Sequence, residues 1–387
     1  MSSRTRLIVL FVSTPLLAFA LVGGILGVRA QSAPTTQQSL RVFEDVIRLI
    51  VHNYVEEVNV ERVMDGAMRG LADGLDPQSA YLQPAQVRAI EQGEQLAEGD
   101  VGIDLTRQYY LRVVSTREGS PAARAGLQPG DFVRAIDGKP TRDLSVYDGM
   151  RLLRGAPGSK VSLLVIRGNA ADPHVVDLVR DKAKPVSISS KVLGGGVGYI
   201  RVPAFETGTA DALRGQIADL TKGGATKLVV DLRQTTEGPL ESGLAAASVF
   251  LETGKTIALK STRDEQKTPI LSEGRAEAIA LPMVVLTNYG TAGAAELFAS
   301  ALAGNDRAKL VGERTNGRAG VQKLVKLPQG SGLWLTHLTY TTPKGDPIHE
   351  KGLTPAVEVE GPEIDFGRLP DPNAKDPILD KAIEVLG

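Results

Sequence analysis

Hydrophobic positions follow four successive patterns along the chain. After Arg4 and Arg6, residues 7–28 carry no charge at all, and a polar stretch follows at 31–38. From Ser39 to about Gln95 apolar residues recur at helical spacing, first Val42, Val46, Leu49, Ile50 and Tyr54, then Val63, Ala67, Leu71 and Leu75, which predicts two amphipathic helices closed by the breaker Asp76-Pro77. From about Gly99 to Arg167 the pattern shortens to β runs at 101–105, 110–115, 132–136 and 161–166. Tight turns at Pro129-Gly130-Asp131 and Asp137-Gly138-Lys139 separate them, with a short Gly-capped helix from Ser120 to Leu127. Beyond Asp181, strands at 197–202, 227–232, 256–259 and 283–287 alternate with helices at 210–222, 240–251 and 294–303, and a last helix covers 377–386. That alternation predicts an α/β core whose sites lie at the carboxyl ends of strands, in the loops after Leu232 and Thr287.

Composition narrows the classes. The chain has 387 residues, 42% hydrophobic and 23% charged, enough for two or three packed domains. A net charge of −1 without a dense basic run excludes nucleic acid as the expected partner. Cysteine is absent, which removes disulfides, thiolate chemistry and Cys-based metal sites. His52, His174, His337 and His349 are scattered without ligand spacing, so neither metal nor cofactor is expected, and Gly194-Gly195-Gly196 reads as a turn. The charge-free run behind two arginines reads as an export segment. Its length suits a membrane span, while Val28 and Ala30 suit signal cleavage after Ala30; both readings stand, and either places the remainder outside the cytoplasm, in a periplasmic or extracytoplasmic setting.

The second pattern change carries a resemblance. Gly119-Ser120-Pro121-Ala122, Ala125-Gly126-Leu127, Gly130-Asp131, Ile136-Asp137-Gly138, Leu153-Arg154-Gly155 and Gly158 together resemble a PDZ domain. Such a domain adds an extended peptide as a strand and receives its terminal carboxylate on the backbone amides of a glycine-containing loop. The resemblance puts that loop at Gly99, Asp100, Val101, Gly102 and Ile103, with Met150 and Leu153 of a following helix on the other wall. Asp100 is a mismatch beside an incoming carboxylate.

The order of export segment, helical pair, PDZ domain and α/β core resembles the carboxyl-terminal processing, or tail-specific, serine proteases over about residues 37–386. The motifs are Gly198-Tyr199-Ile200-Arg201-Val202 with Phe205, Val230-Asp231-Leu232-Arg233, Leu310-Val311-Gly312-Glu313-Arg314-Thr315, Thr342-Pro343-Lys344-Gly345 and Gly352-Leu353-Thr354-Pro355. Members of that family cut peptides with a Ser/Lys dyad supported by a glutamine. Their serine signature falls on Asn288-Tyr289-Gly290-Thr291-Ala292-Gly293-Ala294-Ala295-Glu296, with Gly293 in the nucleophile position. Their lysine signature falls on Gly317-Arg318-Ala319-Gly320-Val321-Gln322, with Arg318 in the base position and Gln322 retained. Glycine has no nucleophile, and an arginine above pKa about 12 cannot become a neutral base. The loop that supplies an oxyanion amide in the family reads Gln234-Thr235-Thr236-Glu237-Gly238-Pro239 here, and Glu237 brings a carboxylate to a place where negative charge has to develop. Thr291, with Lys309 or Lys323 as base, is the one rescue in reach; otherwise it reads as a helix N-cap.

The expected organisation is therefore an export or anchor segment at 1–36, a helical region at 37–95, a PDZ domain at 96–182, a protease-like α/β core at 183–362 and a C-terminal helical segment at 363–387. The leading expectation is a pseudoprotease that captures polypeptide C-termini or unfolded protein and scaffolds envelope proteins or regulates an active protease. The alternatives are a peptidase using other groups, and a structural partner that forms a homodimer through its helical pair and last helix. The membrane is a partner if residues 7–28 remain attached.

Overall fold

The computed structural model describes residues 35–168, 172–263, 267–274, 277–362, 366 and 374–387. The expected export segment lies outside them, as does most of 363–373. No helix among the described residues is long and apolar enough to cross a membrane. The described residues fall into two units, one up to Ala67 and one from Met68 onward.

In the first unit the helix Thr36–Asn53 begins at a reciprocal cap, in which the Thr35 hydroxyl accepts from the Gln38 amide and the Gln38 side chain accepts from the Thr35 amide. None of its residues is buried, and Val42, Val46 and Leu49 stay exposed along one face. A second helix, Val60–Asp73, crosses the boundary between the units.

The second unit opens into a β-rich domain built on an antiparallel sheet in the order Ile103–Gln108, Tyr110–Thr116, Phe132–Ile136, Lys160–Ile166, His174–Val179. Alternation explains it: Val161, Leu163 and Val165 point inward between partly exposed neighbours and meet Leu105, Leu111, Val113, Val133 and Ile136. The helix Val146–Leu153, capped by Ser145 and Asp148, lies so close to the sheet that a β-carbon on Gly149 would fall 2.3 Å from Leu111 Cδ1. The strand expected over 101–105 is broken at Gly102, whose φ of +71° turns the chain before pairing resumes at Ile103.

The larger domain carries a six-stranded sheet in the order Ser189–Leu193, Val197–Arg201, Lys227–Asp231, Met283–Thr287, Lys309–Gly312, Val357–Glu358. Only the first pairing is antiparallel; the others are parallel. The strand Met283–Thr287, apolar through its first four residues and buried at all five, suits a strand covered on both faces. Leu228, Val230 and Val285 pack under the helices Thr209–Lys222, Leu240–Ala247 and Ala294–Gly304, while Val229, Val284 and Leu286 pack against Ile378 and Ala382 of the helix Pro377–Leu386. The helix expected to reach Leu251 stops at Ala247. There the amides of Val249 and Phe250 reach back only three residues, and the tightened turn buries Val249, Phe250 and Leu251 together. A further sheet pairs Gly320–Lys326 with the long strand Gly332–Thr341, neither of them in the sequence reading, and it takes in the strand expected at 256–259, which runs over Thr256–Thr262 and pairs with Gly332–Thr341.

Asp231, at the end of its strand, fixes the last helix. Its buried carboxylate accepts from Tyr199 Oη at 2.7 Å and from Arg233 Nη2 at 2.6 Å, and Arg233 bridges onward to Asp376, the N-cap of Pro377–Leu386. Burial pushes this carboxyl up, but Arg233, with Arg201 and Tyr199, outweighs it and holds Asp231 below the ordinary carboxylate range. Its contribution is therefore present above the unfolded value of about 3.9 and is lost as pH falls through the lower folded value. Asp231→Asn should cost about 3 kcal/mol in urea unfolding at pH 7. The difference from the parent should narrow towards pH 3, whereas a gap constant with pH would mean that the carboxylate charge contributes nothing.

Candidate functional site

The loops that follow Lys227–Asp231 and Met283–Thr287 meet side by side. Asn288 Oδ1 accepts from the amides of Gln234 at 2.9 Å and Gly290 at 3.0 Å, and the Ala292 amide donates to Thr235 O at 2.9 Å. Thr291 is buried, its hydroxyl donating to Leu232 O at 2.9 Å and accepting from the Asn288 amide at 3.1 Å. Both capacities of that hydroxyl serve the loop. Lys309 and Lys323 are exposed. The hydroxyl of Thr291 thus ties loop to loop, and the N-cap of Ala294–Gly304 is Gly293, not Thr291.

Gly293 has φ +65° and ψ −123°, a conformation that strains any L side chain. A β-carbon built there would have room, with Thr236 O at 3.6 Å, Leu240 Cδ2 at 3.7 Å and Arg318 Nη2 at 3.8 Å. Position 293 thus presents its side-chain direction to position 318, and nothing nucleophilic occupies it.

Arg318 Nη2 donates to Thr236 O at 2.8 Å and pairs with Asp104 Oδ2 at 2.7 Å. Burial works against its charge, but Asp104, with Glu296 and Glu237 beyond, more than offsets this, and the guanidinium stays protonated above its ordinary range. Gln322 does not face Arg318 in a bond; its side-chain amide donates to Thr336 Oγ1 at 3.0 Å.

Glu296 joins these pieces. Wholly buried, it accepts from the Gly293 amide at 3.1 Å, the Gly317 amide at 2.7 Å, the Arg318 amide at 2.7 Å and the Thr315 hydroxyl. One carboxylate thus holds the turn at 293 against the loop at 315–318.

The loop at 234–239 is clasped from the β-rich domain. Ser115 Oγ and Thr236 Oγ1 are 2.8 Å apart, and the Thr116 hydroxyl donates to Gln234 Oε1 at 3.2 Å. Glu237 does not point its charge freely at the site: its Oε1 accepts from Arg117 Nε at 2.7 Å. Gly238, with φ +113°, passes so close to Phe205 that a β-carbon would lie 2.0 Å from its carbonyl oxygen.

Arg117 also donates to both Asp100 oxygens, at 3.1 and 3.0 Å, and Asp100 Oδ1 accepts from the Gly102 amide at 2.9 Å. The Gly99–Ile103 loop thus already has a carboxylate of its own on one of its amides. Gly99 bonds reciprocally with Gly155, Val101, Ile103 and Leu153 are buried, and Met150 is partly so. Asp104, Arg117 and Glu296 were not singled out by sequence reasoning. Glu296 could have been, since it closes the serine signature; nothing local marks the other two.

Comparison with known proteins agrees with this architecture. Residues 196–359 match the family described as Peptidase family S41, and residues 112–167 match the PDZ domain. The chain is 29% identical over 376 residues to the carboxy-terminal processing protease CtpA of Bacillus subtilis, covering 96% of this chain and 80% of that protein. It is 31% identical over 335 residues to a probable CtpA-like serine protease of Staphylococcus aureus strain MRSA252, covering 85% of this chain and 66% of that one. Among solved structures, the photosystem II D1 C-terminal processing protease superposes with a TM-score of 0.68 at 26% identity, over 83% of this chain and 92% of that one. The chain belongs to the carboxyl-terminal processing protease family, as a PDZ domain joined to an S41 peptidase core.

Proposed function

We propose that this member of the family holds polypeptides without cutting them, and that it acts outside the cytoplasm as a scaffold or regulator of envelope proteins. The observation that carries the reading is the Gly293–Arg318 pair. The position facing the base carries no side chain, and the base position carries a cation fixed by Asp104 and the Thr236 carbonyl. A Ser/Lys mechanism needs an oxygen to attack and a neutral amine to take its proton, and neither group is present. The Thr236 carbonyl oxygen is itself taken by Arg318, so this loop directs an acceptor, not a donor, toward the site. Binding surfaces need no nucleophile, so polypeptide capture survives the loss. Export by residues 7–28 fits the same reading, since unfolded and tail-bearing envelope proteins would then share its compartment.

The test mixes the purified full-length chain with an excess of reduced, unfolded casein. Casein should co-elute with the chain in size-exclusion chromatography and keep its intact mass. Intact casein that never co-elutes removes the binding half of the proposal; shortened casein removes the non-cleaving half.

A further inference from the structure

The loop at Gly99–Ile103 carries the donors of a carboxylate receptor, and the carboxylate in it belongs to the chain itself. The Gly102 amide donates to Asp100 Oδ1 at 2.9 Å, Arg117 Nη1 donates to the same oxygen at 3.1 Å, and Arg117 Nη2 donates to Asp100 Oδ2 at 3.0 Å. Arg154 Nη2 stands 3.7 Å from Oδ2. A backbone amide and a guanidinium fork are the groups that take a terminal carboxylate elsewhere. The place is shielded without being sealed, since the side chains keep 9% (Asp100), 16% (Arg117) and 30% (Arg154) of their surface exposed.

Two effects keep Asp100 there. It lies two residues from the amide it fills, so it competes at a high effective concentration, whereas an incoming chain end loses translational and rotational freedom on binding. Charge is also matched already. Arg117 and Arg154 face Asp100, and the third donor direction of Arg117 is taken up by Glu237, whose Oε1 accepts from Nε at 2.7 Å. Two arginines against two carboxylates leave no excess positive charge for a third carboxylate, and like charges brought together are unfavourable. Strand addition needs none of these donors. Ile103–Gln108 is the end strand of its sheet, paired there with Tyr110–Thr116 alone, and an added chain bonds to such a strand through backbone groups that do not depend on where that chain ends.

We infer that Asp100 is a built-in stand-in for a chain end: it keeps the carboxylate receptor of the PDZ domain filled, and the chain holds polypeptides without reading whether they end in a free carboxylate. The inference rests on the polypeptide-holding reading above and names what that holding ignores. The receptor is complete beneath its occupant, so removing the occupant should restore it.

The experiment measures fluorescence anisotropy of a fluorescein-labelled Ser/Gly/Ala peptide ending in valine, as the free acid and as the amide, with the full-length chain. The parent should bind the two forms within about twofold of one another. Asp100→Ala frees the Gly102 amide and two Arg117 donors, and should bind the free acid at least about tenfold more tightly than the amide, the scale of one charge-assisted hydrogen bond. Adding Arg117→Gln to that variant should abolish the gain. A free-acid preference in the parent overturns the inference, and this outcome needs no variant to fold. Absence of any gain in a folded Asp100→Ala overturns it too, as does a gain that outlasts the loss of Arg117. A second readout uses no peptide: sodium acetate, set against sodium chloride at equal ionic strength, should raise the urea midpoint of Asp100→Ala by more than it raises that of the parent, because acetate enters the vacated place only in the folded state. Equal shifts in the two proteins overturn the inference. Binding of neither peptide by the parent, with casein also unretained, removes the polypeptide-holding reading, whereas an acetate shift confined to Asp100→Ala would still identify the filled receptor.

Discussion

Placing a serine and a lysine at the two signature positions together, Gly293→Ser with Arg318→Lys, is expected to leave the chain unable to cut unfolded casein at a detectable rate; adding Asp104→Asn should then raise turnover by about 10²–10⁴. In serine proteases, loss of the nucleophile costs roughly 10⁶ in turnover, so the parent should give no fragments by mass spectrometry. A serine at 293 has the room it needs, although φ +65° adds backbone strain on the order of 1–3 kcal/mol. The lysine is the harder part. Asp104, which lies 2.7 Å from the present guanidinium, would stabilise an ammonium in the same place and keep it from acting as a base. Neutralising Asp104 releases that proton, and a positioned general base contributes the gain named above. Full activity in the double variant would show that Asp104 does not control position 318. Fragments from the parent that vanish in Thr291→Ala would overturn the non-cleaving reading altogether, against the two backbone bonds that occupy the Thr291 hydroxyl.

The sequence exposes those parts of this molecule whose signals are local. Residues 283–286 are apolar throughout because the strand is covered on both faces, and the helix at 294–304 follows from a compact run of mostly small and apolar residues after a glycine. Gly293 and Arg318 were legible because each sits inside a signature with flanking residues intact. The hairpin at 320–341 was not, since its partly exposed strands mix lysines with leucines and give neither clean alternation nor a continuous apolar run. Nor were the contacts that define the electrostatics of the site. Arg117 with Glu237, and Asp104 with Arg318, join residues more than a hundred positions apart, across two domains, and no spacing rule reaches that far. Asp100 was visible as a misfit in a carboxylate-binding loop, but the arginine that makes it a permanent occupant could be identified only in three dimensions.

Glu296 itself closes a legible signature, but its four donors do not show there, and its replacement should be the most damaging to the fold. Glu296→Ala removes the acceptor for three backbone amides and the Thr315 hydroxyl in a wholly buried place, and unpaired buried donors cost about 1–3 kcal/mol each. We expect a loss of at least about 4 kcal/mol, a large part of the roughly 5–15 kcal/mol that holds a domain together. Glu296→Gln keeps the shape and one oxygen but turns an amide group towards donors, and should lose about half as much. Burial pushes the Glu296 carboxyl above the ordinary carboxylate range, with the four donors only partly pulling it back. The folded state therefore binds this proton more tightly than the unfolded state does. Its contribution to stability should fall as pH rises from the unfolded value of about 4.3 to the raised folded one, then level off. Urea midpoints across that window should show a downward slope in the parent that is absent in Glu296→Gln. A variant as stable as the parent, or a slope that persists without the carboxyl, would mean that the loops at 293 and 315–318 are held by other contacts. In that case the alignment of position 293 with position 318 would not depend on Glu296.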